Sequence, residues 1–477
     1  MLFSSIIFLC FFFPVVLLGN YILEFSRPFQ NGFLLIASLF FYAWGEPTYV
    51  LIMLASIILN YVFALLVDKY DDDIRKKKFF LVSDITVNLG ILFVFKYLGF
   101  VIRNINALFG SQVIPVPKIA LPLGISFFTF QALSYVVDVY RKDADVQKNP
   151  FYLGLYISFF PQLIAGPIVK YKTVADQILN RTITKEKFSA GCTRFAVGFA
   201  KKILLSNNFA TISDQVFGMA VKGTNVPVTL SWVGVVGYTI QIFFDFSAYS
   251  DMAIGLGLMF GFKFEENFNY PYIAKSISDF WNRWHISMTS WFQQYVYFPL
   301  GGSRVKNKDI LIRNIFIVWL LTGVWHGAEW TFILWGLWNF VFIFLEKLID
   351  FDNSKVNNVV RHIYTLWVVV MGFVFFKSKD LEQSFLYLKN MYGLNHNSFL
   401  SAKALMLVRE YWIYWVVAIL LCTPIAKVLE KKIVDSKSKV PAAIATVAYP
   451  VGLMAVVVVA FSYLVRGSYN PFIYFNF

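Results

Sequence analysis

Residues 310–347 read ILIRNIFIVWLLTGVWHGAEWTFILWGLWNFVFIFLEK. Two apolar runs, 310–325 and 330–347, flank a short stretch that carries a histidine. A span across a bilayer needs about 20 apolar residues, so each run is short for a comfortable crossing. The stretch Gly323 to Gly327 is therefore expected to be a turn or break inside the bilayer, with His326 on a cavity wall. An ionisable side chain at that depth is costly and usually functional. The whole composition agrees with a membrane setting. Of 477 residues, 58% are apolar, 19% aromatic and only 15% charged, where soluble domains carry roughly 25% charged residues. Mean hydropathy is +0.62. A chain this apolar excludes a soluble enzyme, a disordered protein and a nucleic-acid-binding domain, and leaves a polytopic membrane protein.

Working outward, apolar runs recur near 2–24, 31–46, 48–67, 79–102, 119–139, 151–169, 190–206, 227–262, 363–378, 410–427 and 441–466. The run 227–262 is long enough for two helices. The first run lacks the basic start and small-residue cleavage site of a secretory signal, and reads as a retained membrane helix. The runs do not alternate in and out, so a β-barrel is not indicated. No internal repeat is visible, and the polar joints are too short for separate domains. The expectation is one all-α polytopic domain over 1–477, with roughly 11–14 helices including re-entrant segments.

The net charge of +14 reflects loops that favour the cytoplasm. The joints 68–78 (DKYDDDIRKKK) and 427–439 are the most basic and read as cytoplasmic. Counting spans from them puts the N-terminus, the 103–118 loop and the C-terminal tail outside. Basic residues flank 151–169 on both sides, and Pro161, Gly166 and Pro167 interrupt it. A re-entrant hairpin is expected there, buried or lining a cavity. The stretch 279–300 mixes Trp and Tyr with Arg, His and Gln. It is too polar to span, and reads as an interfacial or funnel-lining helix.

Four histidines occur. His362 and His396 sit in polar surroundings and read as solvated loop residues. His285 and His326 each stand among tryptophans. An imidazole with an ordinary pKa near 6.5 suits general-base work, while the plain alternative is a structural His bonding a neighbouring helix. Glu329 would orient the His326 ring only if that segment is helical; otherwise it is an interfacial carboxylate. Ser247 and Ser250 have no GxSxG elbow, and Ala248, Gly255 and Gly257 read as close helix packing. Asp245 and Asp251 are expected to cap helices or pair with buried Arg, and Asp84 and Asp138 raise the same question. Cys10, Cys192 and Cys422 are too scattered for a disulfide framework or a CxxC metal site. No Walker loop or dinucleotide fingerprint is present, and no metal site is expected. Lys170, Lys172, Arg181, Lys185, Lys187, Arg194, Lys201 and Lys202 crowd one region. They either attract a cytosolic polyanion, such as the phosphates of coenzyme A, or serve as positive-inside charge against anionic lipid heads.

The stretches LPLGISFFTFQALSYVVDVYR, FFPQLIAGPI, FDFSAYSDMAIGLGLMFGF, NFNYPYIAKSISDFWNRWHISMTSWFQQYVYFPLGGSR and LLTGVWHGAEWTFILWG resemble the membrane-bound O-acyltransferase family. The likeness is strongest to its bacterial branch in polysaccharide O-acetylation. Teichoic acid D-alanyltransferases share the FW-x-RWH and GxWHG elements, whereas PLGGSR and SYVVDVYR look more like the acetyltransferase branch.

The resemblance implies a central funnel or tunnel, with His326 of the WHG element as the catalytic histidine. His285, in RWH, matches the second family position. Trp325, Asn282, Arg283, Ser287, Lys201 and Lys202 are the further candidates for substrate contact. It also implies cytosolic acetyl-CoA as acyl donor, an extracytoplasmic polysaccharide as final acceptor, and an SGNH-type partner outside the bacterial cytoplasmic membrane. The tail NPFIYFNF is the candidate contact for that partner, or else an aromatic interface anchor. Two other readings stay open: a D-alanyl transferase fed by a carrier protein, and a transporter or flippase without chemistry.

Overall fold

A computed structural model describes residues 1–477 apart from 165, 222, 306, 435–438, 468, 471 and 474–477, and describes only the backbone at 434 and 439–445. Among the described residues there are helices and no strands. Eight helices are long and apolar enough to cross a membrane: Phe8–Phe25, Val50–Lys69, Ile74–Phe109, Val228–Met259, Lys308–His326, Trp330–Leu348, Asn358–Lys377 and Thr446–Val465. A ninth candidate, Ala402–Glu410 with Trp412–Leu421, is bent by 67° at its junction.

The chain forms two compact units. One comprises Met1–Phe195 with Ser250–Glu265, the other Ala196–Tyr249 with Glu266–Phe477. In the first, rings of Phe3, Phe8, Phe12, Phe41 and Phe160 pack as a buried cluster, with Phe12 edge-on to Phe160 at 5.3 Å. The run 151–169 is broken, as its prolines and glycine suggest. Helix Pro150–Ser158 ends at Phe159 and a single turn follows over Phe160–Leu163; the helix is buried from Leu153 onward and the turn throughout. The Phe160 amide, freed by the break, donates to Ser38 Oγ at 3.1 Å, as a buried amide must find a partner. Close helix packing at Gly255 is also observed: a Cβ there would stand 2.7 Å from the Gly191 carbonyl oxygen. Asp251 pairs with Arg194 at 2.7 Å.

Three expectations change. The run 227–262 is one helix of 32 residues, Val228–Met259, not two; Pro227 precedes it and no proline interrupts it. The runs around His326 are full spans. Each helix has 19 residues, because the first starts at Lys308, where the Asn307 side chain accepts from the Asp309 amide, and the second continues to Leu348. At 1.5 Å per residue each is roughly 28 Å long, close to the hydrocarbon thickness. His362 is helical, within Asn358–Lys377, and its Nδ1 lies 3.0 Å from the Ala274 carbonyl oxygen.

The tail also differs. Phe472 and Ile473 are buried in the second unit. Ile473 donates its amide to Asp245 Oδ2 at 2.8 Å, and Phe472 packs on Tyr249. They are therefore not offered as a free docking contact. Pro471 and residues 474–477 lie outside the described residues.

Candidate active site

The break comes later than expected: Gly323 to Trp325 remain helical, and with a full-length helix on each side it stands at the end of a span, not within one. Helix Lys308–His326 stops at the histidine, Gly327 is extended at φ −171°, and Glu329 precedes the next helix, Trp330–Leu348. The two helices pack closely because small residues face each other. A Cβ on Gly323 would lie 2.6 Å from the Phe332 carbonyl oxygen, and one on Gly336 would lie 2.5 Å from that of Trp319. Glu329 stands beyond the break, so helical spacing does not set it against His326.

His326 is 4% exposed. Three aromatic rings meet it edge-on: Trp335 at 4.8 Å, Trp325 at 4.9 Å and Phe376 at 5.1 Å. These come from its own helix and from Trp330–Leu348 and Asn358–Lys377. The second histidine reaches the same group. His285 is fully buried, with Phe246 edge-on at 4.5 Å and the Trp325 ring at 6.1 Å. Trp325 is thus a neighbour of both imidazoles.

Local pairing explains how His285 is aimed. Helix Ile277–Arg283 is capped by the Ser276 side chain and by Glu346 of helix Trp330–Leu348. Glu346 accepts from the Ile277 amide at 2.6 Å and the Ser278 amide at 3.2 Å. The helix ends at Arg283, and His285 takes a left-handed conformation, φ 46°, before Ile286–Phe292 begins. A non-glycine residue holds such a conformation only when its surroundings enforce it. Here segment 267–269 does so: Asn269 donates to the Arg283 carbonyl at 2.9 Å, and Ile286 donates to that of Asn267 at 3.0 Å.

Asn267 then fixes the ring. Its Oδ1 accepts from the Ser287 amide at 3.1 Å and the Ser287 hydroxyl at 2.9 Å, and lies 3.3 Å from His285 Nδ1. An amide oxygen only accepts, so Nδ1 carries the proton and Nε2 keeps its lone pair. His285 Nε2 is buried with no hydrogen-bond partner among the described residues. Burial pushes the imidazole well below its ordinary range, which keeps the ring neutral.

The other candidates divide. Trp325 joins the histidines directly, and Ser287 joins them through Asn267. Asn282 instead lines a cavity of about 260 Å³ with Trp281, Met288, Trp319 and Thr322. That cavity adjoins the same aromatic wall, since Trp281 packs on Trp335 at 5.5 Å. Arg283 turns to Asp279 at 2.7 Å. Lys202 is 2% exposed and pairs with Asp245 at 2.6 Å, with Ser206 donating to the same carboxylate oxygen at 3.0 Å. Lys201 is half-buried in the same turn. Asn267, Phe246, Trp335 and Phe376 were not singled out from the sequence. Trp335, Asn267 and Phe246 lie inside the stretches quoted above, but no spacing along the chain sets any of them against a histidine. Among the described residues no three His, Cys, Asp or Glu side chains are grouped to hold a metal.

Residues 36–379 match the sequence model of the membrane-bound O-acyltransferase family, a span that contains both histidines. The probable alginate O-acetylase AlgI of Pseudomonas aeruginosa is 41% identical over 386 residues, 80% of this chain and 73% of that protein. The peptidoglycan O-acetyltransferase of Helicobacter pylori is 36% identical over 430 residues, 83% and 80% of the two chains. A teichoic acid D-alanyltransferase of Bacillus subtilis is 30% identical over 319 residues, 60% of this chain and 79% of the relative.

Proposed function

Because this chain belongs to the membrane-bound O-acyltransferase family, we propose that it carries acetyl groups from cytosolic acetyl-CoA across a bacterial cytoplasmic membrane for O-acetylation of an extracytoplasmic polysaccharide, with His326 as the base. The chain is a multi-pass membrane acyltransferase. The observation that carries the acetyl reading is coverage: the O-acetyltransferase relatives align over 80% of this chain or more, the D-alanyltransferase over 60%.

The site's form supports the chemistry. His326 takes the proton of an acceptor hydroxyl, and the oxygen attacks the thioester carbonyl. The C–S bond then breaks, and the leaving thiolate takes the proton back from the imidazolium. The products are an acetyl ester and free coenzyme A. A helix C-terminus favours the positive charge the ring acquires in between. The aromatic surround keeps water out and so limits wasteful hydrolysis of the thioester. His285, neutral and fixed by Asn267, holds its Nε2 lone pair ready to accept from a hydroxyl. Positioning adds to what one base supplies, about 10²–10⁴-fold. The final sugar is acetylated by an SGNH-type partner on the outer side.

The test is coenzyme A release from acetyl-CoA by the purified chain in nanodiscs, with and without the candidate partner. Wild type should release coenzyme A, and His326→Ala should lose release by at least about 10²-fold while remaining folded. A fully active His326→Ala variant overturns the mechanism. No release from folded wild type under any condition removes the acetyl donor, and turns the reading to a carrier-bound acyl group such as D-alanyl.

A further inference from the structure

Three cationic side chains are buried among the described residues: Lys77, Arg181 and Lys202. Lys77 pairs with Asp71 at 2.7 Å and Lys202 with Asp245 at 2.6 Å. Arg181, 3% exposed, has no carboxylate within 4 Å among the described residues. It has a second arginine instead. Arg27 donates to the Arg181 carbonyl, and the Gln30 Oε1 accepts from both guanidiniums. Arg181 Nη1 also donates to Asn31 Oδ1 at 2.6 Å and to the Ile178 carbonyl at 3.1 Å. All of these acceptors are neutral. Two positive charges are therefore held together by a shared amide oxygen, with no carboxylate within 4 Å among the described residues.

The pair is built, not incidental. Gln30 and Asn31 are wholly buried. The Arg181 guanidinium lies 4.5 Å from the Phe262 ring. Gly261, at φ 85°, packs against the Arg181 stem, where a Cβ would come 3.4 Å from its Cδ and 3.0 Å from the Thr182 carbonyl oxygen. Arg181 Nε is buried without a partner among the described residues. Burial, and next the Arg27 charge, push the Arg181 guanidinium below its ordinary range. Confining like charges in low dielectric is unfavourable unless an anion completes the site.

Location names the class of anion. Arg27 stands two residues past the candidate span Phe8–Phe25 and is half-buried, so it reaches the surface. Phe25 and Phe29, on either side of it, are exposed, as lipid-facing residues are. Lys187 donates to the carbonyl of Thr182, the residue after Arg181, at 2.9 Å. A paired guanidinium fork at the edge of a span matches the oxygens of a phosphate.

We propose that Arg27 and Arg181 form a binding site for an organic phosphate at the bilayer boundary, separate from the histidine site. The phosphate comes either from an anionic phospholipid headgroup or from coenzyme A. The second source rests on the donor proposed above.

The test is the melting temperature of the purified full chain in nonionic detergent. The probes are phosphatidylglycerol, phosphatidylcholine and coenzyme A, each against wild type and Arg27→Gln. Arg27 is half-exposed and bonds only neutral acceptors, so Arg27→Gln strands no buried charge; Arg27→Lys serves if that variant does not fold. Phosphatidylglycerol or coenzyme A should raise the wild-type midpoint, and the substitution should remove most of the rise. Whichever probe acts identifies the source. No rise in wild type with either probe overturns the site. So does an equal rise in wild type and variant, or an equal rise with phosphatidylcholine and phosphatidylglycerol. His326→Ala should keep the rise, so a failed acetyl-transfer mechanism and a failed phosphate site give different results.

Discussion

Gly336 stands against Gly323 where helices Lys308–His326 and Trp330–Leu348 meet: a Cβ on Gly336 would lie 3.1 Å from the Gly323 Cα. This contact brings Trp335 onto His326. Adding a methyl at either glycine must push the helices apart. Gly323→Ala and Gly336→Ala should each cost about 1–3 kcal/mol. The double variant should cost less than the sum, because the two sites touch. Thermal unfolding in detergent checks this, and additive costs would show that the helices do not press together there.

Asn267 orients His285, and the proposed activity is expected to depend on that contact. Asn267→Ala leaves the Ser287 amide and hydroxyl without their acceptor, which costs about 1–3 kcal/mol. It also frees the imidazole to turn. Coenzyme A release should fall by about 10²-fold, as misplacement of a positioned group does, with His326 intact. Asn267→Asp keeps an oxygen acceptor and should keep more stability than the Ala variant. Equal turnover by Asn267→Ala and wild type would remove Asn267 from the site.

Acid sensitivity follows from the burial of His285. Desolvation pushes its pKa down to about 3, whereas the unfolded ring titrates near 6.5. Between those values the unfolded chain binds the extra proton, so stability falls as pH drops through that window. Wild type should lose melting temperature more steeply from about pH 6.5 to 4 than His285→Asn. Asn tolerates the left-handed backbone that position requires. Parallel pH curves for the two proteins would show that His285 is not buried neutral.

Lys202 and Asp245 make a further prediction. Lys202→Met leaves a buried carboxylate unpaired and should destabilise by about 3–5 kcal/mol. Adding Asp245→Asn removes the stranded charge and should recover much of that loss. If the single and double variants melt alike, the pair contributes no electrostatic stabilisation. Recovery in the double variant means that Lys202 acts through fold stability, and a loss of activity in its variants would track the loss of folded protein.

Much of the architecture was legible in one dimension. Run length and low charge identify an all-helical membrane protein, because each backbone polar group in lipid must be satisfied within its own helix. The Gly-rich WHG stretch marked the end of a helix, and Pro161 marked another break. Run length misled where capping extended a helix beyond its apolar stretch, as Asn307 does at Lys308. It misled again where a long helix carried no break, as in Val228–Met259.

What the sequence by itself determined is the class of fold, the helix end at His326 and the place of Trp325 beside it, since these depend on neighbours along the chain. Only the tertiary structure decided which distant groups meet. Asn267 reaches His285 across 18 residues, Lys202 reaches Asp245 across 43, and Arg27 reaches Arg181 across 154. Periodicity reports which face of a helix is buried but carries no record of what covers it. A buried polar group must find its partner wherever packing of the apolar faces brings one within reach.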